Sequence, residues 1–209
     1  MDGLISSTVK EGRRERRQRE LRECIYQTAR RLFLEHGFAA TTVNQIAEAA
    51  DIAPATFFNY FQSKSAILKD MTREVSARLE ALVNEQLASD ASTQDRITAF
   101  ASRVAEEILL VQGLAYDVMI ELMQAGVRSG DVTPHVQGVL PRFTTLIREG
   151  QRAGDVRRDR DAEFLAEIVI GALNTAITNW LGDREYPLAD RLQQTASFMG
   201  EAISSRTDI

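Results

Sequence analysis

Thr56 and Asn59 stand three residues apart in the segment Thr41 to Lys64, which reads TTVNQIAEAADIAPATFFNYFQSK. The chemistry open to such side chains is hydrogen bonding. An asparagine amide offers a donor and an acceptor together and can read a base edge from the major groove. Residues suited to covalent chemistry are scarce by comparison. The histidines are His36 and His135, the one cysteine is Cys24, and there is neither an H-E-x-x-H spacing nor a Gly-rich phosphate loop. His36 reads as a helix-end residue beside Gly37, His135 as a helix-start residue after Thr133-Pro134, and Cys24 as a small core residue. No catalytic set, metal set or cofactor is expected. An enzyme on a helical scaffold is the rival from another class, and saturable small-molecule binding without turnover would discriminate against it.

To read DNA, Thr56 and Asn59 must sit on the exposed face of a helix, and the surrounding sequence supplies one. Thr42-x-x-Gln45 is a capping box that starts a short helix with Val43, Ile46, Ala47 and Ala50 facing inward. Asp51-Ile52-Ala53 makes the turn, aspartate being one of the few non-glycine residues that tolerate a left-handed conformation. Pro54 then suits a first helical position. Two short helices joined by a tight turn place the second in a major groove. Upstream, Leu21, Ile25, Ala29, Leu32 and Phe33 give Arg19 to His36 a helical spacing, with Gly37 at a left-handed C-cap. Ser63 caps a further helix that Lys64 begins, a position that suits phosphate. Phe57 and Phe61 read as core.

This segment resembles the TetR family of one-component bacterial transcriptional regulators, whose pattern is T-T-V-x-x-I-A-x-x-A-G-V-S-x-G-T-L-Y-x-H/Y-F-x-S-K. The chain supplies Thr41-Thr42-Val43, Ile46-Ala47, Ala50, Thr56, Phe58, Tyr60-Phe61 and Ser63-Lys64 in register over residues 20–70. The resemblance implies a DNA-binding set of Thr42, Pro54, Ala55, Thr56, Phe58, Asn59, Tyr60 and Lys64. Tyr60 and Lys64 occupy the family's phosphate-contacting positions. Asp51 and Ala55 stand where glycine is usual, Ala53 where a serine cap is usual, and Phe58 where a tyrosine hydroxyl is usual.

The charge distribution agrees with a DNA-facing front. The net charge is −5, yet residues 1–70 hold 11 Lys/Arg and 9 Asp/Glu, and the remainder 14 and 21. Between Lys10 and Arg22 the local net is +4. The arginines at 13, 14, 16, 17 and 19 form either an arm for the minor groove or a solvated flexible tail. The lone cysteine fits a reducing cytoplasm. Because no apolar run approaches roughly 18–20 residues, no membrane span is expected. The arginine-rich start lacks the apolar core of a secretory signal.

The whole chain reads as all-α, with about nine helices. Residues 1–18 form a basic arm, 19–65 a three-helix helix-turn-helix head, and 66–209 a helical effector-binding and dimerisation domain. Leu68 to Leu87 extends the helix begun at Lys64 to about Ala88, a span of roughly 37 Å. Further helices start at Ser92 or Thr93, run from Gly113 to Gly126, and start at Thr133-Pro134, where Pro141 should introduce a kink. Asp161–Leu181 is apolar in doublets and needs cover on more than one side. A last helix starts at Pro187.

By resemblance these last two helices build a homodimer interface, with Phe164, Ile168, Ala172, Thr175, Ala176, Leu192, Ala196, Met199 and Ile203 as its candidates. A homodimer carrying two recognition helices predicts a palindromic operator. Phe100, Tyr116, Met119, Met123, Phe143, Ile147, Asn174 and Trp180 could line a pocket for a hydrophobic or amphipathic effector of unknown identity. Asn174 and Thr178 suit either a ligand or an interface. The expected function is a transcriptional repressor released from double-stranded DNA by that effector. The alternative is a DNA-binding regulator without an effector, controlled by a protein partner or by abundance.

Overall fold

The computed structural model describes residues 12–110, 112–129 and 134–205, with side chains at 112, 122–129 and 134–137 excepted. These residues form nine α-helices. In chain order they are α1 (Arg13–His36), α2 (Val43–Ala49), α3 (Pro54–Phe58), α4 (Lys64–Leu87), α5 (Thr93–Leu110), α6 (Gln112–Ser129), α7 (Pro134–Ala153), α8 (Ala162–Gly182) and α9 (Leu188–Ile203). A β-bridge pairs Val156 with Ser204. Two compact units divide between Ile67 and Leu68, and α4 begins in the first and continues through the second.

The first unit is built on α1. Its helix begins at Arg13, so the expected boundary of a flexible arm at residue 18 lies too far along the chain. Glu15 reaches back to accept the Gly12 amide at 3.1 Å, and this start draws the arginines at 13, 14, 16 and 17 into the helix. Ile25, Ala29, Leu32 and Phe33 form its buried stripe with Tyr26. Cys24 is exposed, one step off that stripe, and is not the core residue its mid-helix position suggested.

In the second unit α8 and α9 are the central elements. Among the described residues α8 alone is long and apolar enough to cross a membrane. The helix instead buries Leu165, Ala166, Val169, Ile170, Leu173, Ala176, Trp180 and Leu181 within its own unit. Asp161 caps α8 by accepting the Phe164 amide at 2.8 Å. The α9 stripe of Leu192, Ala196, Met199 and Ile203 is buried, with α5 and α8 as its packing neighbours. Gly200 permits the close approach to α5, since a Cβ there would fall 2.6 Å from Gln94 Cγ.

The start of α5 is fastened from two directions. Ser92 accepts the Asp95 amide at 3.2 Å, and Asp155, beyond the end of α7, accepts from the Thr93 amide at 2.8 Å and its hydroxyl at 3.0 Å. α7 runs through Pro141, which is exposed.

Candidate nucleic-acid interface

The interface begins with the Thr42 cap. The Gln45 amide donates to Thr42 Oγ1 at 3.2 Å, while Gln45 Oε1 accepts from the Thr42 amide at 2.8 Å and hydroxyl at 2.9 Å. The box expected from the sequence is therefore closed in both directions, and Thr42 remains exposed beside the loop. Ile46 and Ala47 anchor α2 with no exposed surface.

The turn after α2 is a Schellman motif. The Asp51 amide donates to the Glu48 carbonyl at 3.1 Å, and the Ile52 amide to the Ala47 carbonyl at 3.0 Å. This pairing requires a left-handed residue, and Asp51 supplies it with φ 53°. Ala53, in the β region, ends the turn without offering a side-chain cap, and Pro54 opens α3.

α3 is five residues long and ends at Phe58, with Asn59 as its C-cap in helical geometry. Tyr60 and Phe61 lie in the following turn, their amides donating to the Phe57 carbonyl at 2.9 and 3.0 Å. Phe57 and Phe61 are buried, their ring centroids 5.9 Å apart. Pro54, Ala55, Phe58 and Asn59 are exposed together, whereas Thr56 and Tyr60 are half-buried. Phe58 shows 55% of its area, its ring in a T-shaped contact with Phe57. A phenyl ring in that position can meet a thymine methyl group, a contact that needs no hydroxyl.

Lys64 departs from the expected geometry. Its ammonium points back toward the α1–α2 loop, donating to the carbonyls of Phe38 at 2.7 Å, Ala39 at 3.2 Å and Thr41 at 2.8 Å. It also lies 4.5 Å from the centre of the Phe38 ring. Thr41 reinforces the same loop, being buried and donating its hydroxyl to the carbonyls of Gly37 at 2.8 Å and Leu32 at 3.3 Å. Sequence reasoning missed Phe38 because it lies 26 residues from Lys64 and outside any periodic stripe. The Arg22 guanidinium stacks 4.6 Å from the Phe61 ring, so α1 passes beside the turn that follows α3.

Candidates in the second unit divide by burial. Phe143 and Ile147 have no exposed surface, and Phe143 packs edge-on against buried Phe100 at 5.0 Å. Met119 is buried and Asn174 half-buried, while the Met123 side chain lies outside the described residues. Trp180 lines a cleft of about 270 Å³ together with Leu109, Arg184, Tyr186, Pro187, Leu188, Ala189 and Asp190. Tyr116 is reached from this cleft through Arg184, whose guanidinium stacks 4.7 Å from its ring centre.

Of the interface candidates, Phe164, Ile168 and Thr175 point outward, and Ala172 is half-buried. Ala176, Leu192, Ala196, Met199 and Ile203 are already buried within their own chain and offer a partner no surface. That correction has a plain cause: the α9 stripe is narrow and α5 uses it. The large apolar residue that α9 exposes is Phe198, 68% exposed, a position that falls outside the periodic stripe and so carried no signal in the sequence.

A short exposed helix set by a capped partner and a Schellman turn defines a helix-turn-helix DNA-binding protein. The model for bacterial regulatory proteins of the tetR family matches residues 25–71, and the model for the C-terminal region of YsiA-like proteins matches residues 73–200. The chain belongs to the TetR family of transcriptional regulators. It is 27% identical over 192 residues to the HTH-type transcriptional repressor DhaR of Mycobacterium sp. strain GP1, covering 90% of this chain and 94% of that one. It is 22% identical over 166 residues to the fatty acid metabolism regulator protein of Bacillus subtilis, covering 78% and 86%. Among solved structures, Thermus thermophilus FadR in complex with lauroyl-CoA superposes with a TM-score of 0.64 at 23% identity, covering 85% of this chain and 92% of that one.

Proposed function

We propose that this regulator is a homodimeric repressor that holds a palindromic operator and is released by an amphipathic small molecule. The observation that carries the DNA half is the joint exposure of Pro54, Ala55, Phe58 and Asn59 on one short helix, with Thr56 at its edge. Asn59 reads a base edge, Phe58 packs on a thymine methyl, and Thr42 and Tyr60 meet phosphates. Arg13, Arg14 and Arg17 carry no partner among the described residues, whereas Arg16 pairs with Glu20 at 3.0 Å. From Arg22 to Arg13 the helix covers about 13 Å at roughly 1.5 Å per residue, so these arginines extend the phosphate contacts past the end of α3.

The dimer half rests on Phe164, Ile168 and Phe198, large apolar side chains left exposed on α8 and α9. Gly171 and Thr175 on the same helix allow a partner helix to come close. An interface of this kind is isologous, and two identical recognition helices then require a two-fold operator.

The effector half is supported by relatives whose structures hold lauroyl-CoA and stearoyl-CoA. An acyl thioester would place its chain among Phe100, Met119, Phe143 and Ile147, with the Trp180 cleft and the Arg184 guanidinium nearer the surface. Its binding would displace α4, which continues from one unit into the other. A second reading, an aromatic drug-like effector, is favoured by the structure of SmeT with triclosan.

Selection of bound fragments from random and genomic DNA, repeated with Thr56→Ala and Asn59→Ala, tests the first half. Recovery of a palindrome that the variants fail to bind supports it, and a wild type that recovers no sequence refutes it. Titrating the operator complex with lauroyl-CoA, coenzyme A alone and triclosan then separates the two effector readings.

A further inference from the structure

We infer that Lys64 is a positioning residue, which fastens the α1–α2 loop to the first turn of α4 and so sets the DNA-reading helices, instead of neutralising a phosphate. This deepens the DNA-reading assignment and rests on it.

An ammonium has three N–H donors and no acceptor. All three are engaged, two of them at the 2.7–2.8 Å typical of charge-assisted bonds, and the half-buried cation also rests over the Phe38 ring. A phosphate could take the charge only after at least one of these bonds had broken. The acceptors are loop carbonyls between the end of α1 and Thr42, which caps α2. Thr41 clamps the same loop to α1 from the other side. The loop is thus held between α1 and α4, and its last residue decides where the α2 N-terminus points. Because Lys64 is the first residue of α4, any displacement of that helix start pulls directly on the Thr42 cap.

The two roles predict different binding behaviour. A phosphate-neutralising cation contributes alike to every DNA sequence and to the salt dependence, so removing it weakens specific and non-specific binding together and lowers the salt slope by about 1 per phosphate. A latch contributes to alignment, so removing it weakens specific binding alone.

The test compares wild type, Lys64→Met and Lys64→Arg on the selected operator and on a scrambled duplex, across a salt series, at a temperature where all three are folded by circular dichroism. The expected result for Lys64→Met is a loss of about tenfold in operator affinity with unchanged scrambled-duplex affinity and unchanged salt slope. Lys64→Arg should fail to restore it, because a planar guanidinium cannot aim donors at three converging carbonyls. Uniform loss on both duplexes with a reduced slope, or recovery by arginine, overturns the proposal. So does an unchanged operator affinity, which leaves the latch a purely structural bond. Hydrogen exchange of residues 38–47 in the free protein decides the latch independently of DNA. Faster exchange in Lys64→Met supports the latch and unchanged exchange overturns it, even if the wild type lacks an operator and the DNA-reading assignment itself falls.

Discussion

The Ile52 amide donates to the Ala47 carbonyl at 3.0 Å, closing the end of α2 around a single left-handed residue, Asp51. A left-handed conformation costs most L-residues roughly 1–2 kcal/mol, and glycine nothing comparable. Asp51→Gly should therefore keep or raise the stability of the first unit, and Asp51→Val should lower it by about 1–2 kcal/mol. Urea unfolding read from amide signals of α2 and α3 checks both, and equal stability for all three sequences would contradict the strained turn.

Phe58 separates binding from folding. Its ring is largely exposed, so Phe58→Ala should leave stability within about 0.5 kcal/mol. Operator affinity should fall by about 1–3 kcal/mol if the ring meets a thymine methyl, and replacing that thymine by uracil should reproduce much of the loss on wild type. Fluorescence anisotropy on paired thymine and uracil duplexes measures it.

The outward and inward apolar residues of α8 and α9 should respond in opposite ways. Ile168→Glu or Phe198→Glu should give a folded monomer in sedimentation equilibrium, because each charge falls on exposed surface. Leu192→Ala should cost about 2–5 kcal/mol of stability through the cavity it leaves, with no selective effect on association. A dimer that persists in Phe198→Glu and Ile168→Glu together would remove this patch from the interface.

Arg13, Arg14 and Arg17 should act through salt. Changing all three to alanine should reduce the slope of log affinity against log salt by roughly 0.9 for each phosphate no longer neutralised, and should weaken specific and scrambled duplexes alike. An unchanged slope would make this part of α1 a solvated helix end.

Asp159 provides a pH marker in the loop before α8. Hydrogen bonds from Arg157, at 2.6 Å to both carboxylate oxygens, lower its pKa from 3.8 to about 2. A depressed pKa stabilises the folded state above the ordinary value, and that contribution disappears as pH falls from about 4 through about 2. Carboxyl chemical shifts should show Asp159 ionised at pH 3 in wild type and titrating at higher pH in Arg157→Gln.

Local rules made much of the DNA-reading unit legible. The Thr42 box, the left-handed Asp51 and the buried Phe57 and Phe61 all depend on neighbours within a few residues, which a sequence displays directly. The limits of α4 followed for the same reason. What the sequence concealed depends on which neighbour covers a surface. Leu192, Ala196, Met199 and Ile203 mark a stripe on α9, but nothing in their spacing says that α5 and not a second chain lies against it. The inward turn of Lys64 is equally hidden, since its partners are three backbone carbonyls and carbonyls carry no residue signature. α3 ends at Phe58, and the turn after it buries Phe61 against Phe57, a contact that the aromatic spacing suggests but the helix limits do not.

Cys24, exposed on α1, is the chain's one thiol. A maleimide spin label would attach there without any engineered cysteine, at one defined site on the DNA-reading unit. In a homodimer the two labels would form a single pair, and the distance between them would follow the separation of the two reading heads. The same preparation could then be measured free, on operator and with an added acyl thioester, so that release from DNA is observed as a length.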